Sequence, residues 1–277
     1  VEKTISNCMT AILNQSFADF EVIIVDDLSS DHTQKLIDQF QDKRIRYYRN
    51  SQVRGLSESR NQCVAYANTE YVFFTDADCT VSKTWLEEGV NVLKNTQAVG
   101  VEGKTVYVSE NYKPTRADAV MENRFGGQFL TCNIGYRRSA LLRVGGFDER
   151  FSYLEDRDLA LRVVKQGKIR FNPKMVVYHQ ERKFTPRQFL QTSRRLRNRT
   201  LLYKKHKDRQ RQLFFGRIAY PMDLLKILCP PLIFGSLLSN RYKSKADFAI
   251  FPLLYVRLVY ERLSFWDMCV RERVLLI

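Results

Sequence analysis

Tyr71-Val-Phe-Phe-Thr-Asp-Ala-Asp78 is an apolar and aromatic run that ends, without alternating, in a pair of aspartates. A run of this kind reads as a strand covered on both faces, as in the parallel sheet of an α/β protein. Ligands of such sheets gather at the carboxyl ends of the strands. Glu21-Val-Ile-Ile-Val-Asp-Asp27 has the same form. Around these two runs, Ile5, Cys8, Met9, Ile12 and Leu13 have the spacing of an amphipathic helix. Further helices are predicted from about Asp31 to Phe40, near Glu58–Asn68, and around Trp85, Leu86, Val90 and Leu93; strands are predicted at Ile45–Arg49 and Val99–Val108. Residues 109–155 are less regular, with Gly126-Gly127 and Gly145-Gly146 marking loops. A helix from about Asp156 buries Leu159, Ala160, Val163 and Val164 and ends at Gly167, before short strands at Lys168–Asn172 and Met175–Tyr178. The alternation predicts an α/β layered domain with a mainly parallel central sheet.

Composition limits the alternatives. The 277 residues, 44% of them hydrophobic, are enough for one large core with or without an appendage. Glycine and proline are at ordinary levels, which excludes collagen-like and disordered classes. The net charge of +15 calls for an anionic partner, and residues 181–217 alone carry +11 of it. Six scattered cysteines without a C-x-x-C pair argue against a disulfide framework or a zinc site and for a reducing compartment. The change in composition near residue 182 divides the chain into 1–181 and a basic, apolar, helical region, 182–277. The longest uncharged run of that region, Ile227–Asn240, has 14 residues, short of the roughly 20 needed to cross a bilayer. Helices lying on an anionic membrane surface are therefore expected there, with a helical subdomain packed on the first domain as the alternative. Nucleic acid is disfavoured, because no nucleic-acid motif accompanies the charge.

The acids carry the chemistry. Asp76 and Asp78, two apart at a strand end, project the same way if the backbone is extended, and paired hard oxygens suit Mg²⁺ or Mn²⁺. Such an ion can neutralise a diphosphate leaving group. Asp26-Asp27 has the form of a nucleotide-binding strand end; Asp31 accounts for the cap of the following helix and leaves Asp27 for a ligand. Glu155 and Asp156 open a helix, where the dipole favours the ionised form that a general base requires. Asp158 and Arg162, at i and i+4, are expected to form a structural ion pair. His179, beyond a β-like run, is either a structural histidine or a third metal ligand. Arg60 and Asn61 start a helix and are placed to meet a phosphate.

Taken in order, these segments resemble family 2 glycosyltransferases of the GT-A fold, membrane-associated type. The resemblance is carried by Phe20 to Asp31, Gly55-Leu-Ser-Glu-Ser-Arg-Asn61, Phe73-Phe-Thr-Asp-Ala-Asp78, Cys132-Asn-Ile-Gly-Tyr-Arg-Arg138, Gly145-Gly-Phe-Asp-Glu149, Glu155 to Leu159 and Val177-Tyr-His179, and covers roughly residues 1–180. It implies a Rossmann-like nucleotide-sugar-binding domain. Asp27, helped by Asp26, would contact the uracil of a UDP-sugar, and Arg60 would lie near the diphosphate. Asp76 would face the ribose or the metal, and Asp78, with His179 in some relatives, would hold Mn²⁺ or Mg²⁺. Asp156 would be the catalytic base beside Glu155, and Asn133 with Gly126-Gly127 would shape the sugar and acceptor pocket.

The implied activity is metal-dependent, inverting transfer of a hexose to a hydroxyl of a glycan or lipid-linked acceptor, on the cytoplasmic face of a membrane. The family's opening strand, with its Pro-x-Tyr/Phe-Asn-like end, has no counterpart ahead of Val1. Two rivals remain. One is a sugar-nucleotide pyrophosphorylase, which would show a glycine-rich loop near its first strand. The other is a membrane- or polyanion-binding protein with a degenerate transferase domain.

Overall fold

A computed structural model of the protein describes residues 1–108, 121–180, 184–193, 197–206, 228–229 and 251–271. These residues form two compact units, one of Val1–Val108 with Met121–Gln180 and one beyond residue 180. In the first unit, helix α1 (Ile5–Leu13) precedes strand β1 (Val22–Asp26), helix α2 (Thr33–Asp38) and strand β2 (Ile45–Arg49). Helix α3 (Leu56–Tyr66) leads to β3 (Tyr71–Phe74) and β4 (Cys79–Val81), followed by α4 (Trp85–Asn95) and β5 (Gly100–Val108). Strand β6 (Ile134–Arg137), helices α5 (Arg138–Arg143) and α6 (Glu155–Val163), and strand β7 (Ile169–Gln180) complete it.

The α/β class holds, but the expected mainly parallel sheet does not form. β1 and β2 pair in parallel in a sheet of their own, while the five-stranded sheet has the order β3-β6-β5-β7-β4. There only β5 and β7 run parallel; β3–β6, β5–β6 and β4–β7 are antiparallel. β6 enters between β3 and β5 and runs against both. The two short strands expected after α6 are one continuous β7, whose register against β5 shifts between Gly103 and Lys104. Gly103 is required at that shift, because a Cβ there would collide with the Met175 carbonyl oxygen. Gly167 does not take the left-handed form expected of a helix-ending glycine; it leaves room for the Val99 side chain.

Ile5, Cys8 and Met9 of α1 are buried as their spacing requires, and Ile5 and Met9 pack with Ile37 of α2. A second cluster joins Phe74, Ile134, Tyr136, Leu141, Phe147 and Leu159, tying α6 to the sheet. The expected Asp158–Arg162 pair is present at 2.7 Å, with the Asp158 carboxylate fully buried.

In the second unit, α7 (Pro186–Gln191) starts with a Thr185–Gln188 capping box, followed by α8 (Arg197–Lys205) and the long α9 (Phe251–Arg271). Phe265 and Cys269 of α9 pack against Tyr203 of α8. Among the described residues no helix is long and apolar enough to cross a membrane. The Ile227–Asn240 run lies outside the described residues apart from 228–229.

Candidate active site

The carboxyl end of β1 sets the first part of the site. Asp26 is turned inward: its carboxylate accepts hydrogen bonds from the Tyr47 hydroxyl (2.6 Å) and the Ser29 N–H (2.8 Å), and Arg49 lies 3.3 Å away. Burial alone would raise its pKa, but these partners outweigh burial and hold it below the usual carboxylate value. Asp27, on the next residue, is engaged by the start of α3. It accepts from the Arg54 and Gly55 N–H groups, both at 2.8 Å, and from the Asn50 amide at 3.0 Å. Desolvation is again the largest influence and again loses to the donors, so Asp27 stays ionised to lower pH than a free aspartate. Asp31 bonds the Thr33 N–H and hydroxyl at the start of α2, which accounts for that helix opening without Asp27.

The second part is the turn after β3. Asp76 and Asp78 are not extended; the Cys79 N–H donates to the Asp76 carbonyl at 3.0 Å and closes a turn. The two carboxylates therefore take different neighbours. Asp76 accepts from Arg60 Nη2 at 3.1 Å, while Asp78 Oδ1 lies 3.7 Å from His179 Nε2. The pKa of Asp76 is raised, mainly by desolvation and also by Asp78, against the opposing charge of Arg60.

β-Sheet register brings His179 here. Cys79 of β4 lies opposite His179 of β7, and their side chains with Asp78 present three metal-ligating atoms within 4.8 Å of one another. The donor set fits a divalent ion. His179 Nδ1 is 2.8 Å from the Gln180 carbonyl, which can only accept, so Nδ1 carries a proton and Nε2 is the ring atom that faces Asp78. A separation of 3.7 Å is too long for a hydrogen bond between Nε2 and Asp78 but suits two ligands of one ion.

The third part is the start of α6. Glu155 accepts from Arg60 Nη1 at 2.7 Å, so one guanidinium, only 12% exposed, joins the β3 turn to α6. Asp156 beside it is pushed up to about 7, first by burial and then by the negative charge of Glu155, against the Arg157 N–H and Arg60. A carboxyl poised there is a competent general base near neutral pH.

Asn133 and Gly126-Gly127 do not join this group of acids directly. Asn133 is buried in the core, its amide bonded to the Trp85 indole (2.9 Å) and to the Lys104 and Met175 carbonyls (3.0 and 3.2 Å). The two glycines, both at φ +84°, lie in a loop held by Glu102, which bonds the Gly127 and Phe129 N–H groups. Arg60 and Asn61 lie inside α3 rather than at its start, and the Asn61 amide bonds the backbone of Phe147 in both directions.

Sequence reasoning missed Cys79, Asn50 and Glu102. Cys79 had a signal in its adjacency to Asp78, and Glu102 in being the one acid inside the apolar Val99–Val108 run. Asn50 had none. Among the described residues three non-glycine residues are left-handed, and each adjoins one of these segments: Leu28 (φ 65°) after Asp27, Phe129 (φ 56°) after the double glycine, and Leu154 (φ 68°) before Glu155.

Comparison with known proteins shows the fold and the family. Two Escherichia coli proteins, the UDP-Glc:α-D-GlcNAc-diphosphoundecaprenol β-1,3-glucosyltransferases WfgD and WfaP, are 26% and 27% identical over 61% and 57% of this chain. The alignments take in 67% and 63% of those relatives, so the match spans about two thirds of their length. Staphylococcus aureus TarS 1–349 in complex with UDP superposes with a TM-score of 0.57 at 18% identity, covering 98% of this chain and 88% of that one. The mannosyltransferase PcManGT of Pyrobaculum calidifontis, in complex with GDP-Man and Mn²⁺, gives 0.63 at 16% identity over 96% and 84%. These likenesses show the GT-A fold. The sequence model of the family described as glycosyl transferase family 2 matches residues 1–147, more than half of the chain, and the protein belongs to that family.

Proposed function

We propose that the protein is an inverting, metal-dependent hexosyltransferase that moves a sugar from a UDP-sugar to a hydroxyl of a glycan or lipid-linked acceptor. One observation carries the reading: Arg60 ties the Asp76 turn to Glu155, next to a carboxyl, Asp156, poised near neutrality. Donor-side and base-side groups thus share one guanidinium.

In this reading Asp27 receives the uracil N–H, and Arg60 attends the diphosphate. Asp78 and His179 hold Mn²⁺ or Mg²⁺, with Asp76 on the ribose or the ion; the bound ion supplies charge neutralisation for the departing diphosphate. Asp156 takes the proton of the acceptor hydroxyl. The oxygen attacks the anomeric carbon from the face opposite UDP, and the electron pair of the broken bond leaves with the diphosphate. A single displacement inverts the anomeric centre. The names of WfgD and WfaP specify a UDP-glucose donor and an N-acetylglucosaminyl diphospholipid acceptor, which makes that pair the first to try. The basic region beyond residue 181 would rest on the anionic cytoplasmic face of the membrane that holds such a lipid.

The test is calorimetric titration with UDP, with and without Mn²⁺, on the wild type and Asp78→Ala. Mn²⁺-dependent binding that disappears in the variant supports the donor site. A folded wild type that ignores UDP removes the UDP-sugar assignment. The anomeric configuration of product from a defined donor, read by NMR, decides between inversion and retention.

A further inference from the structure

We propose that Glu102 is a positioning residue for the acceptor: it fixes the 123–129 loop so that the Phe125 ring stands out as a stacking platform for a pyranose. The proposal rests on the glycosyltransferase reading above.

Glu102 lies on β5 between Ile134 of β6 and Phe171 of β7, and is only 3% exposed. Among the described residues no cation pairs with it. A buried carboxylate is costly unless hydrogen bonds replace its water, and here every donor comes from one loop. Oε1 accepts from the Gly127 N–H at 2.5 Å, and Oε2 from the Phe129 N–H at 3.0 Å and the Asn123 amide at 2.9 Å. Asn123 is itself buried. It exchanges two backbone hydrogen bonds with Thr105, at 2.9 and 3.1 Å, and its side-chain oxygen accepts from the Gly126 N–H at 2.9 Å. The loop therefore folds around a charge.

Its far end is tied to the catalytic side. Phe129 packs against the cluster that holds Tyr136 and Leu159, the latter on the helix that starts with Glu155 and Asp156. Tyr136 is close enough to both Asp156 and Glu102 to feel the charge of each.

From this anchored loop Phe125 projects, 87% exposed. One ring is far too small for a protein interface, which needs roughly 800 Å² per partner. It also lacks the apolar row with which a helix enters a lipid surface. A single aromatic face on a loop with exposed Gln128, beside an Arg124 whose guanidinium pairs with Glu122 at 3.0 Å, fits a sugar instead, with ring C–H groups over the phenyl and hydroxyls towards the amide.

The experiment places a reporter at the tip. Phe125→Trp is titrated with N-acetylglucosaminyl diphosphate on a short alkyl chain and with methyl glycosides of glucose, galactose, mannose and N-acetylglucosamine, following tryptophan emission. UDP binding with Mn²⁺ is measured on the same protein. A saturable emission change is expected with at least one sugar. Phe125→Ala should raise the acceptor KM about tenfold and leave UDP affinity within about twofold. Glu102→Gln in the Phe125→Trp background should weaken the saturable signal about tenfold with the fold intact by circular dichroism, and Glu102→Asp should restore part of it.

A silent tryptophan with every sugar, together with an unchanged acceptor KM in Phe125→Ala, overturns the platform. Glu102→Gln behaving as its parent overturns the positioning role. UDP binding with a silent tryptophan removes the platform and leaves the donor site; a tryptophan that responds in a protein blind to UDP does the reverse.

Discussion

Arg60 and Glu155, 95 positions apart in the chain, meet at 2.7 Å, and the other arm of the same guanidinium reaches Asp76 at 3.1 Å. The arginine therefore balances three carboxyl groups at once, because its charge also restrains the pKa of Asp156.

Removing that charge should be visible as a shift along the pH axis. Arg60→Met leaves Glu155 and Asp76 to push Asp156 further up, so the acid limb of the kcat profile should move to higher pH. Arg60→Lys keeps the charge but not the two-armed geometry and should fall between. An unmoved limb would separate Arg60 from the base.

Asp156 itself makes opposite predictions for activity and stability. As a base it must be deprotonated, so kcat should rise through about pH 7, and Asp156→Asn should cost about 100- to 10,000-fold. Its folded pKa lies above the unfolded value. The folded state thus binds the extra proton between about pH 4 and pH 7, and stability falls as pH rises through that window. Asp156→Asn should accordingly raise Tm at pH 8 and leave it unchanged at pH 3, a difference that scanning calorimetry reads directly.

The ion cradle is tested without turnover. Manganese titrated into wild type, Asp78→Ala and His179→Ala, and followed by electron paramagnetic resonance of the free ion, should show affinity falling about 10- to 100-fold in His179→Ala and further in Asp78→Ala. Equal affinities across the three would move the ion elsewhere.

The buried Asp158–Arg162 pair is read out through stability. The Asp158 carboxylate is fully buried, so Arg162→Met removes a partner held at 2.7 Å and should destabilise by about 3 kcal/mol in urea unfolding. Asp158→Asn with Arg162→Met should recover part of that loss.

Much of this was legible in residue order because its causes are local. The apolar runs before Asp26 and Asp76 announce strands, the spacing of Ile5, Cys8 and Met9 announces a helix, and Asp158 with Arg162 is a one-turn pair. What was hidden depends on distant partners. β6 inserts antiparallel beside β3 although residues 75–133 separate them, and nothing within Ile134–Arg137 records that choice. The Asp76–Asp78 turn brings the two carboxylates to Arg60 and His179, partners distant in the chain, so an extended reading of the two aspartates was the natural one from spacing alone. Glu102 resembled any acid on a strand until the loop that bonds it was seen.

Leu28, Phe129 and Leu154 carry a consequence for how this protein tolerates change. Each holds a left-handed backbone that costs a non-glycine residue roughly 1–2 kcal/mol, and each adjoins a segment of the site. Stability has been traded for geometry at three separate corners. Glycine at the exposed Leu28 should yield a sturdier and slower protein, whereas at Phe129 the loss of a ring packed on the Tyr136–Leu159 cluster outweighs the relief, so a search for thermostable variants will be drawn to a position where activity is easily lost.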